Sequence, residues 1–209
     1  MTHLPRGLYA ITDSKLLSPE QLVEAVALAI QGGAQMIQYR NKGAEAMQRQ
    51  WEASDLNNMC RALGIPLIIN DDVELAAQVM AAGVHLGKDD ADVAAARAKL
   101  GPQAIIGVSC YNNIDLAIAA EQAGADYVAF GSFFPSRVKP DAVKAEVALL
   151  HEAKQRLSVP LVAIGGITAD NGRQLIGAGA DMLAVITEVF GQADIRGAAQ
   201  RFATLFAEG

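Results

Sequence analysis

The sequence predicts an α/β chain folded as one (β/α)8 TIM barrel domain over residues 1–209. Three observations predict it. Eight short runs rich in Val, Ile or Leu recur along the chain, each bounded by Gly, Pro or a polar residue, as strands buried on both faces read. Stretches of helical period separate them, with no linker and no low-complexity segment. The phrase AGAD occurs at 123–126 and again at 178–181, each time leading from a helix into a strand, and AAGVHLG at 81–87 is a looser form of that joint. A doubly wound open sheet is the alternative, but it needs a topological switch that nothing in the pattern marks.

The elements follow in order. GLYAIT (7–12) is the first strand. The next helix, SPEQLVEAVALAIQGG, opens with Ser18 as N-cap, Pro19 at the first helical position and Glu20 in the first turn, and closes on Gly32 and Gly33. Leu22, Val23, Val26 and Ile30 share one of its faces. Four strands come next, QMIQYR (35–40), PLIIND (66–71), GVHLG (83–87) and AIIGVS (104–109). NNIDLAIAAEQAGAD is then a helix capped by Asn112 or Asn113 and stopped at Gly124. YVAFGS (127–132), PLVAIGG (160–166) and MLAVIT (182–187) complete the eight strands. Between the last two, TADNGRQLIGAGAD starts a helix at Thr168 and stops it at Gly179, and ADIRGAAQRFATLFAEG supplies the final helix.

Composition narrows the function classes. Hydrophobic residues make up 52% of the chain and aromatics only 5%, so Ala, Val, Ile, Leu and Gly carry the core. The formal net charge of −6 argues against nonspecific binding to nucleic acid or an anionic membrane, because phosphate surfaces need clustered Lys and Arg. Any anionic ligand must be met by a local cluster of cations. Cys60 and Cys110 have no metal-ligand spacing and are expected to be reduced thiols of a cytoplasmic protein. The opening MTHLPRGLYAITD lacks a long apolar run, so no signal peptide is expected, and no stretch reaches the roughly 18 apolar residues of a membrane span. The expected partners are small molecules. The oligomeric state is left open, a homodimer being one option.

A barrel of this kind carries its site at the C-terminal ends of the strands. Asp71 and Asp90 lie at two neighbouring ends with Asn70 beside them, an oxygen-rich set that suits Mg²⁺ held by few protein ligands plus water and phosphate oxygens. Asp71 or Asp72 can equally serve as a helix cap. Arg40, Lys42 and Lys139 bring positive charge from two other strand ends, which together with a metal would neutralise a departing diphosphate. Gly165 and Gly166 follow strand seven, and LAVIT ends strand eight. Gly-rich turns at these two positions, opening onto helix N-termini, form the usual phosphate cup of the architecture. Strand six carries Phe130 and Gly131 rather than a lysine, so a Schiff-base aldolase would lack its nucleophile there. His85 reads as a packed histidine, Trp51 as helix-face packing, and His3 and His151 as surface residues.

GLYAITD, IQYRNK, IINDD, GVHLGKDD, IIGVSC, DYVAFGSFFPSRVK, VAIGGIT and LAVIT, in order over essentially the whole chain, resemble the thiamine phosphate synthase family. The resemblance implies transfer of a pyrimidine-methyl group from its diphosphate to a thiazole phosphate, with Mg²⁺ and release of diphosphate. It implies that Gln38, Tyr39, Arg40, Asn41, Lys42, Asn70, Ser109 and Lys139 hold the pyrimidine diphosphate, with Arg40, Lys42, Ser109 and Lys139 acting in catalysis. Asp71 and Asp90 would ligate Mg²⁺, and Ser136, Arg137, Val138, Gly166, Ile186 and Thr187 would hold the thiazole phosphate. The implied chemistry is dissociative: diphosphate leaves, and the thiazole nitrogen captures a pyrimidine-methyl cation. The chain departs from the family pattern in carrying Tyr39 for Leu, Lys88 for Gln, Ser132 for Pro, Thr187 for Ser, and SRV (136–138) for Thr-x-Thr. Val138 cannot donate a hydroxyl hydrogen bond, while Ser136 can and Arg137 offers a direct pair to phosphate. Two competing classes are a thiazole phosphate tautomerase, which would lack the diphosphate half of the site, and a non-catalytic phosphate-binding barrel.

Overall fold

The computed structural model describes residues 4–88, 90, 92–135 and 143–207. Eight strands, β1 (Gly7–Ile11), β2 (Ala34–Tyr39), β3 (Leu67–Asn70), β4 (Gly83–Leu86), β5 (Ile105–Tyr111), β6 (Tyr127–Phe130), β7 (Leu161–Ile164) and β8 (Met182–Val185), close into a barrel in chain order. All are parallel, and β8 returns to pair with β1. The helices are α1 (Pro19–Gln31), α2 (Ala46–Ala62), α3 (Val73–Val79), α4 (Val93–Leu100), α5 (Ile114–Gln122), α6 (Ala148–Arg156), α7 (Ala169–Gly177), α8 (Thr187–Phe190) and α9 (Ile195–Ala207). The expected (β/α)8 architecture is therefore present, with the short α8 inserted before the last helix. Thr187, read as the end of the eighth strand, is the first residue of α8.

The local signals act as their chemistry requires. Ser18 precedes α1, its hydroxyl bonded to Glu20 and its N–H to Gln21 Oε1. Asn113, rather than Asn112, caps α5 by accepting from the N–H groups of Asp115 and Leu116. Thr168 and Asn171 form a reciprocal capping box on α7. The two AGAD phrases do one job twice. Gly124 and Gly179 adopt left-handed φ of 93° and 114°, which end α5 and α7. The aspartate that follows then reaches sideways: Asp126 Oδ2 accepts from Ile106 N–H at 2.8 Å and pairs with Arg97, while Asp181 Oδ2 accepts from Leu161 N–H at 3.0 Å and pairs with Lys154. Each aspartate thus ties the start of one strand to its neighbour and to a helix on the outside of the sheet.

Strand side chains alternate between two cores. One set, including Leu8, Ile37, Ile69, Val84 and Leu161, packs outward against the helices. The other fills the barrel with Tyr9, Ile11, Met36, Ile68, Ile105, Tyr127, Ala129, Val162, Met182 and Ala184. The barrel centre belongs to the fully buried Tyr127, whose ring stands edge-on to Tyr9 with centroids 6.0 Å apart. Gly107 on β5 makes this possible, since any Cβ there would overlap the Tyr127 ring. Trp51 does not pack as expected. The inner face of α2 is built from Ala53, Leu56 and Cys60, which leaves Trp51 65% exposed.

Gly107→Ala forces a methyl into the space of the Tyr127 ring and is expected to cost about 1–3 kcal/mol of stability, the usual penalty for overpacking. A chemical denaturation midpoint equal to that of the unaltered protein would show that the ring moves aside freely.

Candidate active site

The C-terminal ends of the strands open into a cavity of about 730 Å³. Gln38, Arg40, Lys42, Asn70, Asp71, Asp90, Ser109, Gly166, Ile186 and Thr187 all line it, so most of the residues picked from sequence converge on one space. Tyr39 and Asn41 do not. The Tyr39 hydroxyl donates to Glu52 on α2 at 2.6 Å, and the Asn41 amide donates to the same carboxylate at 2.9 Å. Strand parity is the reason: Gln38 and Arg40 point inward, so Tyr39 between them points out into the helix layer. Ser136, Arg137, Val138 and Lys139 lie outside the described residues.

Adjacent aspartates at the end of β3 divide two tasks. Asp72 caps α3, its Oδ1 accepting from Leu75 N–H at 2.9 Å, and pairs with Arg49 at 2.7 Å. Asp71 is thereby free to face the cavity. It takes a left-handed φ of 64°, while its N–H continues the sheet to His85 O at 2.8 Å. A non-glycine residue in that region costs about 1 kcal/mol and is borne where the surroundings hold it. Lys42 Nζ lies 2.9 Å from the Asp71 carboxylate.

Asp90 accepts from Gly87 N–H at 2.5 Å, and its carboxyl and that of Asp71 act on each other's titration. Burial raises the Asp71 pKa, but the hydrogen bond and charge of Lys42, with hydrogen bonds from Asp90 and Asn70, outweigh it and leave Asp71 below the usual carboxylate range. Burial raises Asp90 too. The Gly87 amide opposes this, and the negative charge of Asp71 adds to it, so Asp90 ends above that range. Two carboxylates whose pKa values are pushed apart this way form an oxygen donor set that a hard divalent cation fits.

The cations are anchored before any ligand is considered. Arg40 Nη1 lies 3.3 Å from the buried Asp13 carboxylate, and Arg40 N–H donates to Thr12 Oγ1 at 2.9 Å. Asp13 thus fixes the direction of Arg40.

Beneath the cavity floor a continuous chain of side-chain hydrogen bonds crosses the barrel. Gln38 Nε2 donates to Tyr9 Oη at 2.7 Å, and Tyr9 Oη lies 2.9 Å from Tyr127 Oη. Tyr127 Oη lies 3.0 Å from His85 Nδ1, and His85 Nε2 lies 2.8 Å from Ser109 Oγ. Burial pushes both phenol pKa values far up, so the two tyrosines are neutral and keep their protons. His85 is packed as expected, stacked 5.6 Å from Tyr127, but it also reaches the cavity. Sequence reading passed over Tyr9 and Tyr127. The signal was present: each is a phenol at an inward position of a strand with no other polar side chain.

The opposite rim is built for close approach. Gly165 and Gly166 hold left-handed φ of 102° and 61°, and side chains there would overlap Ser132 Oγ and Pro135 O. The loop after β6 is stitched to this turn, with Phe133 N–H donating to Ile164 O at 3.2 Å and Phe134 N–H to Gly165 O at 3.0 Å. Asn171 Nδ2 holds Gly166 O at 3.1 Å.

Comparison with known proteins agrees with this geometry. The model of a family described as thiamine monophosphate synthase matches residues 8–189. The thiamine-phosphate synthase of Nitrosococcus oceani is 56% identical over 94% of this chain and 91% of its own length. That of Thiobacillus denitrificans is 50% identical over 99% and 98%. A solved thiamine phosphate pyrophosphorylase from Pyrococcus furiosus superposes with a TM-score of 0.88 at 37% identity, covering 97% of this chain and 96% of its own.

The aspartate pair makes stability depend on pH. The folded-state pKa of Asp90 is above its unfolded value, so its ionisation costs stability as pH rises past about 4, and the cost levels off above the folded pKa. Asp71 has the opposite sign: its contribution is present above about 4 and is lost as pH falls through its lowered folded pKa. In metal chelator, Asp90→Asn should therefore raise Tm at pH 8 and lose that advantage as pH approaches 4. A Tm difference that does not vary with pH would show that the two carboxyls do not interact.

Proposed function

The chain belongs to the thiamine monophosphate synthase family, an enzyme of thiamine phosphate synthesis, and we propose that its rim cavity joins a pyrimidine-methyl diphosphate to a thiazole phosphate with release of diphosphate. The observation that carries this reading is the polarity of the cavity. One rim gathers Asp71, Asp90, Arg40 and Lys42, and the other presents the Gly165–Gly166 turn with Thr187, so two separate anions can be met across one floor. A tautomerase acting on thiazole phosphate alone would have no use for the first rim.

In this reading Gln38 and Ser109 hold the pyrimidine ring, and Asn70, Arg40 and Lys42 receive its diphosphate. The bond from the methylene carbon to oxygen breaks with its electron pair going to diphosphate, so negative charge develops where the two cations stand. The thiazole nitrogen then donates its lone pair to the methylene carbon. Gly166, Ile186 and Thr187 hold the thiazole phosphate so that this nitrogen faces that carbon, which makes the capture effectively intramolecular. Asp71 and Asp90 would hold Mg²⁺, whose chemistry is to neutralise the diphosphate oxygens as they leave. Ser136, Arg137, Val138 and Lys139 complete the proposal from sequence, with Lys139 on the diphosphate and the other three on the thiazole phosphate. The whole of 1–209 acts as one barrel domain on small molecules. The cytoplasm is the proposed compartment, in keeping with Cys60 and Cys110, which are both buried and unpaired.

Incubation with both substrates and Mg²⁺ should yield thiamine phosphate and diphosphate in equal amounts. Tight binding of both substrates without product would overturn the reading. Asp71→Ala should remove Mg²⁺-dependent turnover, and an unchanged kcat would take Asp71 out of the metal site. Arg40→Ala should lower kcat about 10²–10³-fold, as loss of one preorganised charge-stabilising group does.

A further inference from the structure

We propose that Glu52 is a positioning residue that holds, from the helix layer, the stretch of backbone carrying Arg40 and Lys42 to the departing diphosphate. The inference rests on the reading of the cavity just given and deepens it.

Glu52 lies on α2 and is only 9% exposed. Among the described residues its carboxylate accepts three hydrogen bonds, all from neutral donors. Tyr39 Oη donates to Oε2 at 2.6 Å, Asn41 Nδ2 to the same oxygen at 2.9 Å, and Gln48 Nε2 to Oε1 at 2.8 Å. A buried carboxylate is costly unless bonds of this kind offset it. Burial and the neighbouring Glu52 carboxylate push the Tyr39 phenol far up, so Tyr39 remains the proton donor of that pair.

Two of the three donors flank Arg40. Tyr39 and Asn41 turn toward α2 while Arg40 between them turns to the cavity, so one carboxylate oxygen grips the chain just before and just after the arginine. On the cavity side Thr12 Oγ1 accepts from Arg40 N–H, and Asp13 holds the guanidinium. Arg40 is thus clamped from both faces. Asn41 passes the constraint onward. Its Oδ1 accepts from Gly43 N–H at 3.3 Å and Ala44 N–H at 3.2 Å, which folds the loop around Lys42. Lys42 depends on that fold, because its long side chain is 59% exposed and is aimed only as well as its Cα is fixed. Glu52 is not part of the cavity lining, so it acts through these bonds rather than on a ligand.

The test is Glu52→Ala, read by the Kd of inorganic diphosphate with Mg²⁺ and, separately, by the Kd of the thiazole phosphate. Loss of the clamp should weaken diphosphate binding about tenfold, the scale of one lost hydrogen bond to a charged group, and leave thiazole phosphate binding unchanged. The kcat should fall about tenfold, less than for Arg40→Ala, since the cations are displaced rather than removed. Glu52→Gln should restore diphosphate binding, because its Oε1 can accept from Tyr39 and Asn41 while Gln48 turns its amide over. Should Glu52→Ala fail to fold, Asn41→Ala cuts the same link from the loop and is read in its place, with the same outcomes. Unchanged diphosphate binding, equal weakening of both ligands, or a Glu52→Gln variant as weak as the alanine variant overturns the proposal. Absence of thiamine phosphate from reactions of the unaltered protein overturns the reading of the cavity instead, while the diphosphate Kd still tests the clamp.

Discussion

Closing eight parallel strands into a barrel forces every strand residue to one of two sides, and the site inherits that division. A residue either enters the barrel or packs under the helices, and its neighbour does the opposite. The interior is narrow. A residue as large as Tyr127 fits only because Gly107 gives up its side chain across from it. Inward positions lower in the barrel are filled by Met36, Ile68, Ile105, Val162 and Met182. At the upper end the same alternation turns Gln38, Asn70, His85 and Ser109 on β2, β3, β4 and β5 toward the cavity, with Asn70 and His85 directly paired. The polar floor is thus the last inward layer of an otherwise apolar stack.

An acidic chain must meet anions with a few cations whose direction is fixed. Free lysines and arginines on a flexible rim would lose much of their rotamer freedom when a ligand arrived. Here Arg40 is already held by Asp13, and Lys42 by Asp71. The same carboxylates that hold the cations also keep the rim from carrying a bare positive field. The pair of Asp71 and Asp90 has a different balance, since one ion pair among the described residues, Lys42 on Asp71, serves two carboxyls. That deficit is what a divalent ion would meet.

The strands, the helix caps and the glycine turns were legible in the sequence because each is a local signal. Ser18, Thr168, Gly124 and Gly179 act within a few residues of where they stand. Asp71 and Asp90 were also legible as a pair, although the assignment of Asp72 to capping needed the left-handed turn at Asp71 to be seen. Tyr39 and Asn41 were misplaced because a run of consecutive residues at a strand end does not all face one way, and the inward parity is set by pairing with β1 and β3. Trp51 was read as packed because a large aromatic on a helix usually is, whereas the inner face of α2 is formed by Ala53, Leu56 and Cys60. The hydrogen-bond chain was not legible at all. Tyr9 and Tyr127 are 118 residues apart, and nothing short of the closed barrel brings their hydroxyls to 2.9 Å.

A floor whose phenols are held neutral by burial suits a reaction in which charge separates above it. If the pyrimidine were held by an ion, the cation forming at its methylene carbon would be stabilised or opposed by that ion throughout, in the ground state as well as at the barrier. Phenols whose protons are locked by burial contribute orientation without net charge, and they need not reorganise when the diphosphate leaves. In the proposed reaction the charge work falls to Arg40 and Lys42 on the rim, and the floor would hold the ring. A separation of this kind requires that the floor residues be coupled to one another rather than to solvent. Burial of Tyr9 and Tyr127 at the barrel centre supplies that condition.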